Sequence, residues 1–269
     1  MARYHRTEGI CLRRLDFSNT SQVVSFLTPD AGRLSFLAKG VTRAPKRGIR
    51  TGFDLLGRYE IVYTARRPGS LHNLTDRWLR EGFRGIRAAL EPIVCGYYAA
   101  ELVSNFTAEG IDCPALYALL VDTLRGLEAG RELGLAVLRL EVGVLREHGT
   151  CPFFDECAEC GAPLPQHGPV AFSSAAGGPL CGRCESDVRG PARARLTTVS
   201  GRLLGDLARL VTEPGGVNGL TPRKIVAMST VLRFHIRDLV GRELRMWSYL
   251  QGRRLSRSLR RVRRRLAPA

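Results

Sequence analysis

Two Cys-x-x-Cys pairs, Cys157-Ala-Glu-Cys160 and Cys181-Gly-Arg-Cys184, stand with twenty residues between them. That spacing is the mark of a four-cysteine metal site. Each pair sits on a tight turn, so its two sulfurs can aim at one centre. Gly161 after the first pair and Gly182 inside the second offer the backbone freedom such knuckles need. Four thiolates complete a tetrahedral shell and leave no open position for water or substrate, so the chemistry expected is structural rather than catalytic. Zn2+ is the first expectation for these four ligands; an iron–sulfur cluster or unmetallated thiols are the alternatives.

The elements that must position the cysteines are loop-rich. Pro163, Pro165, Gly168, Pro169, Gly177, Gly178 and Pro179 lie between the pairs, and the insert has too little apolar sequence to fold by burial alone. A metal ion would supply the missing cross-link. Of the other cysteines, Cys11, Cys95 and Cys113 fall in apolar-patterned segments and read as buried small hydrophobes. Cys151 breaks the paired spacing and is left out of the site.

The 269 residues allow two or three domains, and 44% hydrophobic content is that of a globular protein. No apolar run is long enough to cross a bilayer, so no membrane partner is expected. The start, Met-Ala-Arg-Tyr-His-Arg-Thr-Glu, lacks the apolar core of a signal peptide. That points to the cytoplasm, where eight cysteines argue for metal and free thiols rather than disulfides. The net charge is +16, and of 41 basic residues only Lys39, Lys46 and Lys224 are lysine. Such a balance implies a polyanionic partner, nucleic acid first.

Five short strands are expected in residues 1–77: Gly9–Leu12, Gln22–Leu27, Arg33–Lys39, Phe53–Thr64 and a weak Leu71–Thr75. They suit a small closed barrel of the OB type, with an SH3-like barrel or an open meander as alternatives. Phe36, Phe53 and Tyr59 read as barrel core before base-stacking platforms. Between Arg33 and Arg50 there are six basic residues, Arg33, Lys39, Arg43, Lys46, Arg47 and Arg50, and no acid. A basic loop on a small barrel is a common grip for phosphate, and the guanidinium fork suits phosphate oxygens.

From Trp78 the period becomes helical. Ile93, Tyr97, Ala100, Glu101 and Val103 share one helical spacing; Pro114 opens a second helix carrying Leu116, Leu119, Leu120 and Leu124; a third spans Leu133–Leu145. These form the first part of a helical domain, 78–150. The zinc insert occupies 151–190, and the helical domain resumes over 191–250. There Thr197 to Val211 reads as one helix with cap candidates in Thr197-Thr198-Val199-Ser200, and Thr221-Pro222 opens another through Leu239. Glu101 and Glu141 read as members of structural ion pairs, and His235 as a satisfied buried histidine. The tail, 251–269, is a basic amphipathic stretch: eight arginines from Gly252 onward, among them Arg253, Arg254 and Arg257, with no acid. The fold class is therefore α+β and multidomain, a barrel followed by a mainly helical domain with a cysteine-rich insert.

The order of these features resembles one family, the bacterial RecO recombination mediators. The residues that carry the resemblance are Leu27-Thr28 … Gly32 … Ala38-Lys39-Gly40-Val41 with Arg43 and Lys46-Arg47; Tyr98 … Glu101-Leu102, then Pro114 … Leu116-Tyr117 … Leu119-Leu120 … Leu124; Leu138 … Glu141 … Leu145 … His148-Gly149 … Pro152 … Cys157-Ala-Glu-Cys160-Gly161; and Leu239 … Arg242-Glu243-Leu244-Arg245 … Leu250. The likeness covers about residues 5 to 250. It implies an amino-terminal OB barrel, a helical domain with a four-cysteine zinc site, and a non-enzymatic role in DNA repair and recombination. Members bind single- and double-stranded DNA and anneal complementary strands. With RecR they help RecA replace the single-strand-binding protein, whose acidic tail many of them contact, in the cytoplasm at the nucleoid. The residues themselves leave three other readings: a zinc-ribbon RNA- or ribosome-binding protein, a scaffold for an acidic partner, and a hydrolytic enzyme. The sequence offers no clustered acids or Ser-His-Asp set for the last.

Overall fold

The computed structural model describes residues 3–41, 52–67, 69–213 and 220–250. The chain divides into two compact units: Met1–Leu133 together with the segment from Leu244, and Gly134–Glu243.

The first unit is built on five strands: β1 (Tyr4–Asp16), β2 (Gln22–Thr28), β3 (Gly32–Ala38), β4 (Arg58–Thr64) and β5 (His72–Glu81). They form a closed barrel in the order β1-β2-β3-β5-β4, with β4 returning to β1. Closure depends on β1 serving two neighbours. Residues Tyr4–Ile10 pair with β4, and Ile10–Asp16 pair with β2 across a register shift between Cys11 and Arg13. Such a bulge bends a strand and increases its twist, as a small barrel requires. The backbone freed there is satisfied at Cys11, which donates its N–H to Gly57 and accepts from the Leu56 N–H at 2.8 Å. The parallel pairing of β3 with β5 is short, Phe36 with His72 and Leu37 with Asn73.

Alternation along β2, β3 and β4 places Phe26, Phe36, Tyr59 and Ile61 inside. Phe26 is edge-on to Phe36, Phe53 and Tyr59 at 5.8, 5.4 and 5.8 Å between centroids. Phe36, Phe53 and Tyr59 are thus core, as expected. β5 runs on to Glu81, beyond the expected boundary at residue 77 and through Trp78, because it pairs with β4 along nearly its whole length. That pairing is a tertiary decision which local periodicity does not register.

Helix α1 (Leu90–Asn105) packs against β1, and α2 (Pro114–Glu128) against α1. Pro114 occupies the first turn of α2. Of the expected spacing on α1, Ala100 and Val103 are buried and Ile93 and Tyr97 half-buried; Val94, Cys95, Tyr98, Ala99 and Leu102 are buried as well. The buried surface is wider than the expected stripe because this helix is covered on most of its circumference, which blurs the period. Glu101 is half-buried on α1. Its carboxylate accepts the backbone N–H groups of Arg245 and Met246, each at 2.9 Å, ahead of the short helix that is α7 below. Cys113 is half-buried, with its thiol against the Thr28 carbonyl at 3.4 Å, rather than a core residue like Cys11 and Cys95.

The β2–β3 turn is keyed into the linker between α1 and α2. Arg33 N–H donates to the Ala108 carbonyl, Gly110 N–H to Ala31 and Cys113 N–H to Pro29, all within 2.9–3.0 Å. Gly32 makes this approach possible: its φ is +63°, and a Cβ there would stand 2.1 Å from the Ala108 oxygen.

The second unit contains α3 (Leu133–Glu147), β6 (Pro169–Ser173), β7 (Gly178–Leu180), α4 (Gly182–Asp187), β8 (Leu196–Ser200), α5 (Gly201–Thr212) and α6 (Pro222–Val240). The last element, α7 (Trp247–Leu250), belongs to the first unit. β6 lies between β7 and β8 in an antiparallel sheet. Thr197–Val199 are strand, paired with β6, rather than the start of a helix; Ser200 is the cap, accepting from the Leu203 N–H. Thr221 caps α6 in the same way, with Pro222 in the first turn. On α6, Val231 and Leu232 are buried and Leu239 is exposed. Phe172 on β6 is fully buried among Phe154, Phe234 and His235.

Buried polar contacts help hold the helices of this unit. Glu141 is wholly buried on α3 and accepts from Arg233 Nε of α6 at 2.6 Å, the ion pair expected for it. His235 lies 2.9 Å from Ser174 Oγ through Nδ1 and 2.9 Å from the Thr150 carbonyl through Nε2, and burial lowers its pKa. One tautomer satisfies both: Nε2–H donates to Thr150 and Nδ1 accepts from Ser174.

Two outcomes are expected in urea unfolding. Gly32→Ala costs about 2 kcal/mol or more, from left-handed backbone strain plus the clash with Ala108. Arg233→Ala costs about 3 kcal/mol by stripping a buried carboxylate of its cation.

Candidate metal centre and nucleic-acid interface

The four cysteines meet. The sulfurs of Cys157, Cys160, Cys181 and Cys184 all lie within 4.8 Å of one another. Cys160 and Cys181 are 3.7 Å apart. The sulfur–sulfur edge of a tetrahedron built on ordinary zinc–thiolate bonds is about 3.8 Å. Cys151 is not among them; burial pushes its thiol up to about 11 and keeps it protonated.

The first knuckle is the turn Cys157–Gly161. Gly161 N–H donates to the Cys157 carbonyl at 2.8 Å, and Gly161 has φ +68°. The second is of another kind. Cys181 is the residue before α4, and its carbonyl accepts the Glu185 N–H at 2.9 Å, so Gly182 is an ordinary helical residue and not a left-handed one. β6 and β7 carry the two knuckles together, with Ala171 and Leu180 packing beside Cys157.

The electrostatics favour a cation. Burial opposes the Cys157 thiolate, but the N–H groups of Cys181, Cys160 and Glu159 overcome it and bring the thiol down to about 6. Cys184 is pushed up to about 12, first by its hydrogen bond to Cys160, then by burial and by the neighbouring Cys181 and Cys157. Four thiols at this spacing cannot all ionise unaided, and a divalent ion removes that conflict by displacing the protons. Arg183, between Cys181 and Cys184, hydrogen-bonds to the Cys160 sulfur and adds positive charge at the rim. The donor set fits a structural metal ion and offers no position for a reacting group.

On the barrel, Arg33 and Lys39 behave differently. Arg33 is committed to the fold, donating to the Ser104 carbonyl at 2.7 Å and to Ser104 Oγ at 3.1 Å. Lys39 is exposed just past β3. Arg43, Lys46, Arg47 and Arg50, and in the tail Arg253, Arg254 and Arg257, lie outside the described residues. Lys39 lines a shallow cleft of about 410 Å³ with Phe17, Ser18 and Ser21 of the β1–β2 loop and Leu37 of β3. Sequence reasoning gives Phe17 no role, yet a signal exists: it is an aromatic residue inside the polar run Asp16–Ser21, where no core position calls for one.

The family model described as Recombination protein O N terminal matches residues 1–83, and the one described as Recombination protein O C terminal matches residues 87–248. The chain belongs to the RecO family. Its RecO relatives include the DNA repair protein RecO of Anaeromyxobacter sp. (strain K), 34% identical over 212 residues, which cover 77% of this chain and 82% of the relative. That of Roseiflexus sp. (strain RS-1) is 30% identical over 248 residues, 92% and 85% of the two chains. That of Moorella thermoacetica is 33% identical over 181 residues, 66% of each. The boundary between the two RecO matches falls just after β5, at the end of the barrel. Among the described residues no helix is long and apolar enough to cross a membrane.

Metal analysis of the purified RecO chain is expected to find one ion per chain. Cys157→Ser is expected to release it and to lower the melting temperature by several degrees. Full retention of the ion in that variant would mean that other ligands hold it.

Proposed function

We propose that this protein is a DNA repair and recombination mediator that binds single- and double-stranded DNA and anneals complementary strands. With RecR it helps load RecA onto DNA coated by single-strand-binding protein. The observation that carries the reading is a closed five-stranded barrel with Lys39 at the cleft beside its β1–β2 loop, in a chain of net charge +16 whose relatives are named DNA repair protein RecO. The barrel reads as an OB fold, which takes oligonucleotides on strands 2 and 3 and on the flanking loops. The metal is read as a single structural Zn2+, on the all-sulfur donor set and its spacing.

The mechanism follows from charge. Two DNA strands repel each other, and a protein that screens both backbones lets pairing proceed. Sequence-independent contacts suffice, because the bases supply the specificity. Lys39, with Arg43, Lys46, Arg47 and Arg50 beyond it, would contact one backbone, and the arginines of 251–269 a second. No side chain need react, so the role is non-enzymatic. The site of action would be the cytoplasm, at the nucleoid. The acidic tail of the single-strand-binding protein would be a partner of the same charge class as DNA.

Neutralising Arg43, Lys46, Arg47 and Arg50 together should weaken single-stranded DNA binding and flatten the slope of log affinity against log salt. The slope should fall by about 0.7 for each phosphate no longer neutralised. An unchanged slope would reject these residues as the phosphate grip. For the wider reading, the protein should accelerate annealing of complementary strands coated with the cognate single-strand-binding protein, without nucleotide. No acceleration, with a preference for folded RNA, would overturn it.

A further inference from the structure

The cross-strand register of β1, β2 and β3 places two rows on the outside of the barrel. Leu15, Val23 and Leu37 lie in one row, and Arg13, Ser25 and Ser35 in the next. Phe17 extends the first row into the β1–β2 loop, and Lys39 extends the line of β3 beyond Leu37. Leu15 is 48% exposed and Phe17 67% exposed. An aromatic ring left this open is not there for packing within the barrel. The two rows hold no acid, and among the described residues no ion pair engages Arg13 or Lys39. The face on the other side of β1 is different in kind. There Glu60 is held between Arg6 and Arg80, and Arg58 bridges Glu8 and Glu81, so charge is balanced within the protein.

We propose that Phe17 is the residue that makes the barrel face selective for unpaired strands: one base stacks on its ring over Leu15 and Leu37, while Lys39 and Arg13 hold the phosphates on either side. This rests on the DNA-binding reading above and assigns it a determinant. The cleft between Phe17, Ser18, Ser21, Leu37 and Lys39, about 410 Å³, has room for a base, and its hydroxyls can meet the base edge without demanding a particular one. A purely electrostatic grip does not separate duplex from single strand, since both carry phosphate. A stacking ring does, because a paired base has its faces covered by its neighbours. Such a site also favours turnover in annealing: as two strands pair, their bases leave the ring, and only the phosphate interactions still hold the duplex.

The test uses the full chain, an oligothymidylate and a hairpin duplex of equal length, with affinity read by fluorescence anisotropy. Phe17→Ala is expected to weaken oligothymidylate binding by roughly five- to a hundredfold, the worth of one stacked base, and to leave duplex affinity and the salt slope as they were. Phe17→Trp is expected to restore single-strand affinity, with indole emission quenched by the oligothymidylate and not by the duplex. Lys39→Ala should weaken both forms. Phe17→Ala that lowers both forms equally, or neither, overturns the inference and leaves the DNA-binding reading intact. Failure of the folded wild-type chain to bind either DNA overturns that reading, and the inference with it. Indole emission in Phe17→Trp that shifts with single-strand-binding protein but not with DNA would assign the face to a protein partner and overturn the proposal.

Discussion

Everything in the first unit is referred to the point where the β2–β3 turn meets the linker between α1 and α2. Three backbone hydrogen bonds within 2.9–3.0 Å join them, and they form because Gly32 has no side chain to hold the two backbones apart. The contact sets the barrel against its helices through main chain on both sides, which is insensitive to side-chain identity elsewhere. Arg33, one residue on, reinforces the junction by reaching Ser104. The barrel core beside it is aromatic and edge-to-face, so its packing has a preferred geometry as well as buried area.

The second unit is held in a different way. It has one small sheet and several turns, and buried polar contacts matched in geometry join its elements: Glu141 with Arg233, and His235 between Ser174 and Thr150. The sulfur cluster belongs to this logic. It ties two knuckles of unlike design, a glycine turn and a helix start, at the end of a sheet too short to register them alone.

Features encoded locally are legible in the sequence. The cysteine spacing leads directly to four sulfurs in one place. Pro114, Ser200, Thr221 and Pro222 mark helix starts by a chemistry of one or two residues. Alternation identifies β2, β3 and β4 with their core aromatics. What stays hidden is set by partners distant in sequence. β5 continues past Thr75 because β4 lies beside it, and Thr197–Val199 are strand because β6 does. The buried surface of α1 is wider than periodicity indicates because neighbours cover more than one of its faces. Glu101 serves two backbone N–H groups more than a hundred residues away, which no local pattern announces. Arg33, expected at phosphate, also ties β3 to Ser104 of α1, a contact the sequence does not announce. Net charge has the same weakness, since part of it is offset within the fold, where Arg58 and Arg125 are paired with carboxylates.

The Glu101 contact also fixes where the chain rejoins the first unit. By receiving the N–H groups of Arg245 and Met246, its carboxylate draws the segment before α7 back to α1, in the unit that contains the barrel. The eight arginines that follow Gly252 are therefore tethered, by chain connectivity, a few residues from a point on that unit. Their encounter with anything already held by the barrel is intramolecular, governed by an effective concentration and not by that of the protein in solution. In the proposed role, one carboxylate in the middle of the sequence would thus help set the avidity available to its end.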